Sequence, residues 1–204
     1  MVDNFKQIRN HLKFDEKGDH FYFVQILQRA KDFGNETTVK GTKVIRSFYV
    51  SDLDYWDSHV EQIKSLCEYY NARAYIHLNP RSWRKCVLKS FGTLADFLQN
   101  DQCHLLRTLV EKTAGDQIAD GVEKTWIVDV DSKDDNLIRE IADDVNACGP
   151  EGNKIVDAIP TVHGVHLITK PFNIQKFRKK WKESELDVHK NNPTLLYYCF
   201  SMEF

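Results

Sequence analysis

Asp129 and Asp131 close an apolar run, Trp-Ile-Val-Asp-Val-Asp at residues 126–131, and their types and spacing suit chemistry. Side chains alternate along a strand, so two aspartates one residue apart point to the same face. A buried strand gains nothing by ending in acids, because an unpaired buried charge is costly. Two carboxylates on one face suit a hard divalent cation, which takes oxygen ligands. A second set of candidates lies further on. His166 begins Val-His-Leu-Ile-Thr at 165–169, and Asp187 stands in Leu-Asp-Val-His at 186–189. The plainer reading of an Asp-x-Asp is a solvated turn or a helix cap, and Ser132, Asp134 and Asp135 offer caps here.

The elements that must position these residues follow an ordered pattern. Residues 126–131 read as a strand and 136–148 as a helix, with Leu137, Ile138, Ile141 and Val145 on one face. Residues 155–159 and 165–169 read as strands around a Thr-Val-His-Gly turn. Asn173 can cap a helix with an apolar stripe of Ile174, Phe177 and Trp181, and 194–200 reads as a last strand. This β-α-β-β-α-β order is the split βαβ arrangement of ferredoxin-like and RNA-recognition-type sheets. In that topology strands one and three are antiparallel neighbours in the centre. Asp129, Asp131, His166 and Asp187 are then expected at one corner of the sheet.

Composition sets broader limits. The chain has 204 residues, 42% hydrophobic and 28% charged, within the range of an ordinary globular protein. A formal net charge of −2 gives no global case for nucleic acid, though a balanced total can hide a local basic groove. Five cysteines without a Cys-x-x-Cys argue for free thiols in a reducing compartment. With no apolar signal core and no run of membrane length, the expectation is a cytoplasmic protein with no membrane partner.

The first half reads as an α/β lobe. Residues 1–20 suggest a short helix or an arm. Strands are expected at 21–28, 43–50 and 74–78, with Gly-Asn and Gly-Thr turn residues joining the first two. A helix capped by Ser51 or Asp52 carries Val60, Ile63, Leu66 and Cys67. Residues 83–118 read as helical, interrupted near Gly92 and ending near Gly115. The expected architecture is α+β: an N-terminal α/β lobe, residues 1–120, packed on a C-terminal RNA-recognition-like βαββαβ sheet, residues 121–204.

Several of these residues also carry a family resemblance. Ile127-Val128-Asp129-Val130-Asp131 resembles the apolar-Asp-x-Asp motif of the archaeo-eukaryotic primase superfamily. Gly164-Val165-His166, preceded by Thr161, is similar to that family's second motif, which ends in histidine. Tyr75-Ile76-His77-Leu78-Asn79-Pro80-Arg81 resembles an Asn-Pro-Arg segment of plasmid and phage members. The family's third motif is an apolar residue and an acid, for which Leu186-Asp187 is the candidate. Thr161-Val162-His163 departs from the usual Ser-Gly-x.

The resemblance implies a nucleotidyltransferase that adds nucleotides to a 3′-hydroxyl by two-metal chemistry with Mg²⁺ or Mn²⁺. It implies Asp129, Asp131 and Asp187 as metal ligands and His166 as a contact to the triphosphate, with Lys170 and Arg81 balancing phosphate charge. The implied partners are nucleoside triphosphates, a single-stranded DNA or RNA template, and a replication helicase or other replisome proteins of a phage or plasmid. His163 reads as structural or exposed. The basic residues between Lys176 and Lys182 read either as a phosphate-binding cluster or as the solvated face of a helix. Tyr197, Tyr198 and Phe200 read as base-stacking residues or as core. Two rival functions stand beside the nucleotidyltransferase. One is a non-catalytic nucleic-acid-binding module on the same sheet. The other is a two-histidine phosphoesterase suggested by His166-Leu-Ile-Thr169, whose spacing is one residue too long and which lacks a second copy.

Overall fold

The computed structural model describes residues 1–32, 41–182 and 186–199. It is a mixed α+β structure of two antiparallel sheets and, among the described residues, six α-helices. The first half contains β1 (Val2–Asp3), α1 (Phe5–Arg9), β2 (His20–Arg29), β3 (Thr42–Val50), α2 (Leu53–Tyr70), β4 (Arg73–Ile76), β5 (Arg81–Ser82), α3 (Trp83–Gln99) and α4 (Leu109–Asp116). The second contains β6 (Trp126–Val130), α5 (Asp135–Ala147), β7 (Ile155–Pro160), β8 (Val165–Thr169), α6 (Ile174–Lys180), β9 (Asp187–His189) and β10 (Thr194–Tyr198).

The second sheet has the order β7-β8-β6-β9. With α5 between β6 and β7, and α6 between β8 and β9, this is the split βαβ order expected from the sequence. The two central strands are antiparallel, with Asp129 paired to His166 and Trp126 to Thr169. Alternation then sorts the faces. Val128, Val130, Val165 and Leu167 join Ile141, Val145 and Phe177 in a core beneath α5 and α6. Ile127, Ile159 and Ile168 point the other way, into a larger core shared with the first sheet. The carboxylate-bearing face is therefore the one turned toward the first sheet.

Caps settle one ambiguity in the sequence. Asp134 caps α5 by accepting from the Asn136 amide, and Asn173 caps α6 by accepting from the Lys176 amide. Asp129 and Asp131 are not used in that way. Asp52 caps α2 as expected.

Two expectations are corrected in the fold. The strand expected at 194–200 does not complete the second sheet: β10 lies between β1 and β4 in the first sheet, and residue 200 lies outside the described residues. Every side chain of Thr194–Tyr198 is buried, so this strand needs neighbours on both edges and cover on both faces. The edge of the second sheet goes instead to the short Asp187–His189, whose one apolar side chain, Val188, meets the core under the helices. Finally, α3 runs unbroken through Gly92. The helical region breaks at Asp101, whose φ of 55° is left-handed. The turn at Gly34-Asn35 lies outside the described residues.

Candidate functional site

The facing sheets leave a cavity of about 370 Å³ at one end of their interface, within the size range of small-molecule sites. Strand β6 contributes Ile127 and Asp129, and Asp131 follows just beyond the strand end. His166 comes from β8 and His189 from β9, with Thr161, Val162 and His163 from the β7–β8 turn. The opposite wall is the first sheet: Leu27 and Arg29 of β2, Thr42 of β3, and Arg73 and Tyr75 of β4. Asn192 and Pro193 close it where the chain crosses from β9 to β10.

Asp129 and His166 are the centre of this arrangement. His166 Nε2 lies 3.4 Å from Asp129 Oδ1, while its Nδ1 shares a 2.8 Å hydrogen bond with the Thr194 hydroxyl. The imidazole is thus tied to both sheets. Hydrogen bonding by His166 outweighs partial burial and holds the Asp129 carboxyl below its usual range, and the positive potential of His189 helps. Asp131 is exposed and lines the same cavity. Asp187 is directly opposite Asp129 on β9, at the corner expected for it although on a strand that was not, but it is exposed and does not line the cavity.

The arginines of the far wall were not singled out from the sequence. Arg29 Nη1 donates to the Tyr75 hydroxyl at 2.6 Å. Arg73 donates twice to Asp32, at 2.9 and 2.6 Å, and lies 4.5 Å from the Tyr198 ring centroid. Burial disfavours the Arg73 charge, but Tyr75 and Asp32 outweigh it and hold the guanidinium above its ordinary pKa. Arg29 also reaches Asp32, at 4.0 Å. Two guanidiniums sharing one carboxylate give the wall a positive balance across from Asp129 and Asp131. Their positions at the end of β2 and the start of β4, paired antiparallel, were the available signal. The facing of the two sheets was not.

Two residues expected at the site lie elsewhere. Lys170 shares a face with His166 but falls past the far end of β8, beside a second cavity, where it pairs with Glu123 at 2.8 Å. Arg81 is fully buried and donates to Asn191 Oδ1 at 2.7 Å, while Asn191 donates to the Gly115 carbonyl. It anchors the residue next to the cavity-lining Asn192 and is not itself in the cavity wall. The basic cluster of α6 is partly explained by structure, since Lys180 pairs with Asp144 and Glu140 and Lys176 donates to the Ala147 carbonyl. Tyr197 and Tyr198 are buried in the core region, with the Tyr197 hydroxyl donating to Glu68.

Near Arg81, burial pushes the His77 imidazole down to about 3, and the Arg81 cation adds to the effect. The folded value lies below the unfolded one, about 6.5, so the unfolded chain binds more protons between the two. Stability should therefore fall as the pH drops below about 6.5, by about 2 kcal/mol at pH 5 from this group. Denaturant titrations at pH 7 and 5 should show this loss and show it reduced in His77→Phe, which keeps a ring against Phe23. An equal loss in both proteins would contradict it.

The donor chemistry suits a hard cation: Asp129 and Asp131 offer carboxylate oxygens to one cavity, and Asp187 stands next in register. Among the described residues, no group of three or more His, Cys, Asp or Glu is already gathered in metal-binding geometry. Also among the described residues, no helix is long and apolar enough to cross a membrane. Comparison with known proteins finds no matching family model, no matching curated protein and no matching solved structure.

Proposed function

We propose that this chain is a primase-polymerase-like nucleotidyltransferase, adding nucleotides to a nucleic-acid 3′-hydroxyl in phage or plasmid DNA replication. The observation that carries the reading is the cavity in which Asp129, Asp131 and His166 face Arg29 and Arg73. Carboxylates on one wall suit metal ions, and guanidiniums on the other suit phosphates, which they bind with paired N–H donors. A nucleoside triphosphate with its divalent ions presents both chemistries at once.

In this reading Arg29 and Arg73 hold the triphosphate, and Asp32 and Tyr75 hold the arginines in place. Asp129 and Asp131 would hold Mg²⁺ or Mn²⁺, with Asp187 as the third candidate ligand. Bound there, the ions supply charge stabilisation of the attacking and departing oxygens. His166 orients Asp129 in the empty site, and its Nε2, the more loosely held ring nitrogen at 3.4 Å from that carboxylate, turns to donate to a phosphate oxygen when the nucleotide enters. A single-stranded DNA or RNA template would run past the open side, with a helicase or other replisome protein as partner, in the cytoplasm. A non-catalytic nucleic-acid-binding role is the second reading, favoured by the position of Asp187 outside the cavity.

The deciding experiment is incorporation of labelled nucleotides by the full chain on single-stranded and primed templates with Mn²⁺. Extension that stops in EDTA supports the enzyme. Template binding without incorporation under any metal supports the second reading. Within the enzyme reading, His166→Ala should weaken binding of a nonhydrolysable nucleotide roughly tenfold to a hundredfold, the value of a hydrogen bond to a charged group. His163→Ala, at an exposed position of the same turn, should do less. Calorimetric titration of both variants checks this, and the reverse order would displace His166 from its role.

A further inference from the structure

We infer that the chain forms an antiparallel homodimer through the outer face of α3. This helix is apolar on two opposite sides. Cys86, Thr93 and Phe97 are buried against the protein, whereas Val87, Leu88, Phe91 and Leu98 are 52%, 62%, 68% and 61% exposed. A helix apolar on both faces is one built to be covered on both. Four of the exposed residues, Leu88, Phe91, Ala95 and Leu98, recur at intervals of three, four and three, the spacing of a short helix-packing seam, with Val87 at its edge. That period selects another helix as the occupant, since knobs-into-holes packing needs a partner of the same repeat.

The size of the patch agrees. With large side chains presenting roughly 150–250 Å² each when free, these exposures amount to on the order of 500 Å² of apolar surface. This is at the upper end for a monomer and a large share of the about 800 Å² that each partner gives a standard interface.

A second copy of the same helix, running antiparallel, satisfies the seam. A two-fold axis at mid-helix sets Phe91 against Ala95 of the second copy and Leu88 against its Leu98, so large meets small at the centre. The same axis brings Arg84, at the start of the helix, toward Asp101 beyond its end. A parallel pair would instead stack Phe91 on Phe91 and set Arg84 against its own copy. Gly92 is an independent sign. It is exposed in the middle of the helix, and a Cβ there would meet nothing within 4 Å, so packing within one chain does not require it. Glycine weakens a helix interior, and beside the seam it lets a second backbone approach closely.

Sedimentation equilibrium of the full chain tests this directly. The wild type should dimerise below about 100 µM, and Phe91→Lys should raise the dissociation constant at least about a hundredfold with an unchanged circular dichroism spectrum. Cysteine pairing provides the second measurement, in a Cys103→Ser background because Cys103 is exposed. An oxidised mixture of Leu88→Cys and Leu98→Cys chains should cross-link, and either variant alone should not. A wild type that stays monomeric up to about 100 µM overturns the inference, as does a folded Phe91→Lys that dimerises equally well. Cross-linking by Leu88→Cys alone overturns the antiparallel arrangement. None of these outcomes depends on nucleotide chemistry, so they stand apart from the proposed activity.

Discussion

Asp129→Asn combined with Asp131→Asn should lower metal-dependent nucleotide incorporation by roughly a thousandfold or more, because removing both charges removes the anionic wall that a pair of cations requires. The chain should stay folded. Asp131 is exposed, and the Asp129 side chain is about a third exposed, with its contact to His166 available to an asparagine oxygen. The change is nearly isosteric, so the thermal midpoint should move by no more than a few degrees. Mn²⁺ binding, read from water-proton relaxation, should fall in parallel with activity. Activity within tenfold of wild type in a folded double variant would sink the assignment of these carboxylates. Arg73→Ala offers the complementary case. It should weaken nucleotide binding while leaving Mn²⁺ binding alone, because the guanidinium lies on the opposite wall.

The parts of this arrangement that alternate along single strands could be read from the sequence. The Asp-x-Asp spacing puts both acids on one face, and the β-α-β-β-α-β order makes β6 and β8 neighbours. The observed pairing of Asp129 with His166 follows from those two facts. Its pairing with Asp187 does not, because the fourth strand is expected at 194–200 and stands instead at Asp187–His189. What failed depended on one sheet meeting another. Lys170 alternates onto the expected face, but its distance along β8 carries it to the other end of the interface. Arg81 looks like a phosphate ligand by residue type, yet its neighbours bury it under the Asn191 turn. Arg29 and Arg73 show the converse. Their positions at the end of β2 and the start of β4 put them at one sheet end, but only the facing of the two sheets, which β10 of the first sheet helps to tie together through Thr194 and His166, brings them to the cavity. An apolar strand such as 194–198 signals burial on both faces but does not name the sheet that receives it.

The β7–β8 turn packs directly on the backbone at the end of β6, and Gly164→Ala should show how tightly. A Cβ at Gly164 would overlap the Val130 carbonyl oxygen and lie 2.6 Å from the Ser132 nitrogen and 2.9 Å from the Ser132 oxygen. All three are backbone atoms, so no side chain can swing aside to make room. The segment that must move is the end of β6 that carries Asp131. The turn has little freedom to move in its place: the Thr161 amide donates to the Gly164 carbonyl at 2.9 Å, and the Gly164 amide donates to the Thr161 hydroxyl at 3.0 Å. Overpacking against fixed backbone belongs at the costly end of such changes, about 3 kcal/mol or more. For a chain of this size that is a fall of about 6–12 °C in the thermal midpoint. Gly115→Ala is the control, since a Cβ there meets nothing within 4 Å and the residue lies inside α4. It should gain about 0.5–1 kcal/mol from reduced freedom of the unfolded chain. A Gly164→Ala protein as stable as wild type would mean that the β6 end and the turn are not in the contact described, and the position of Asp131 would have to be redrawn with them.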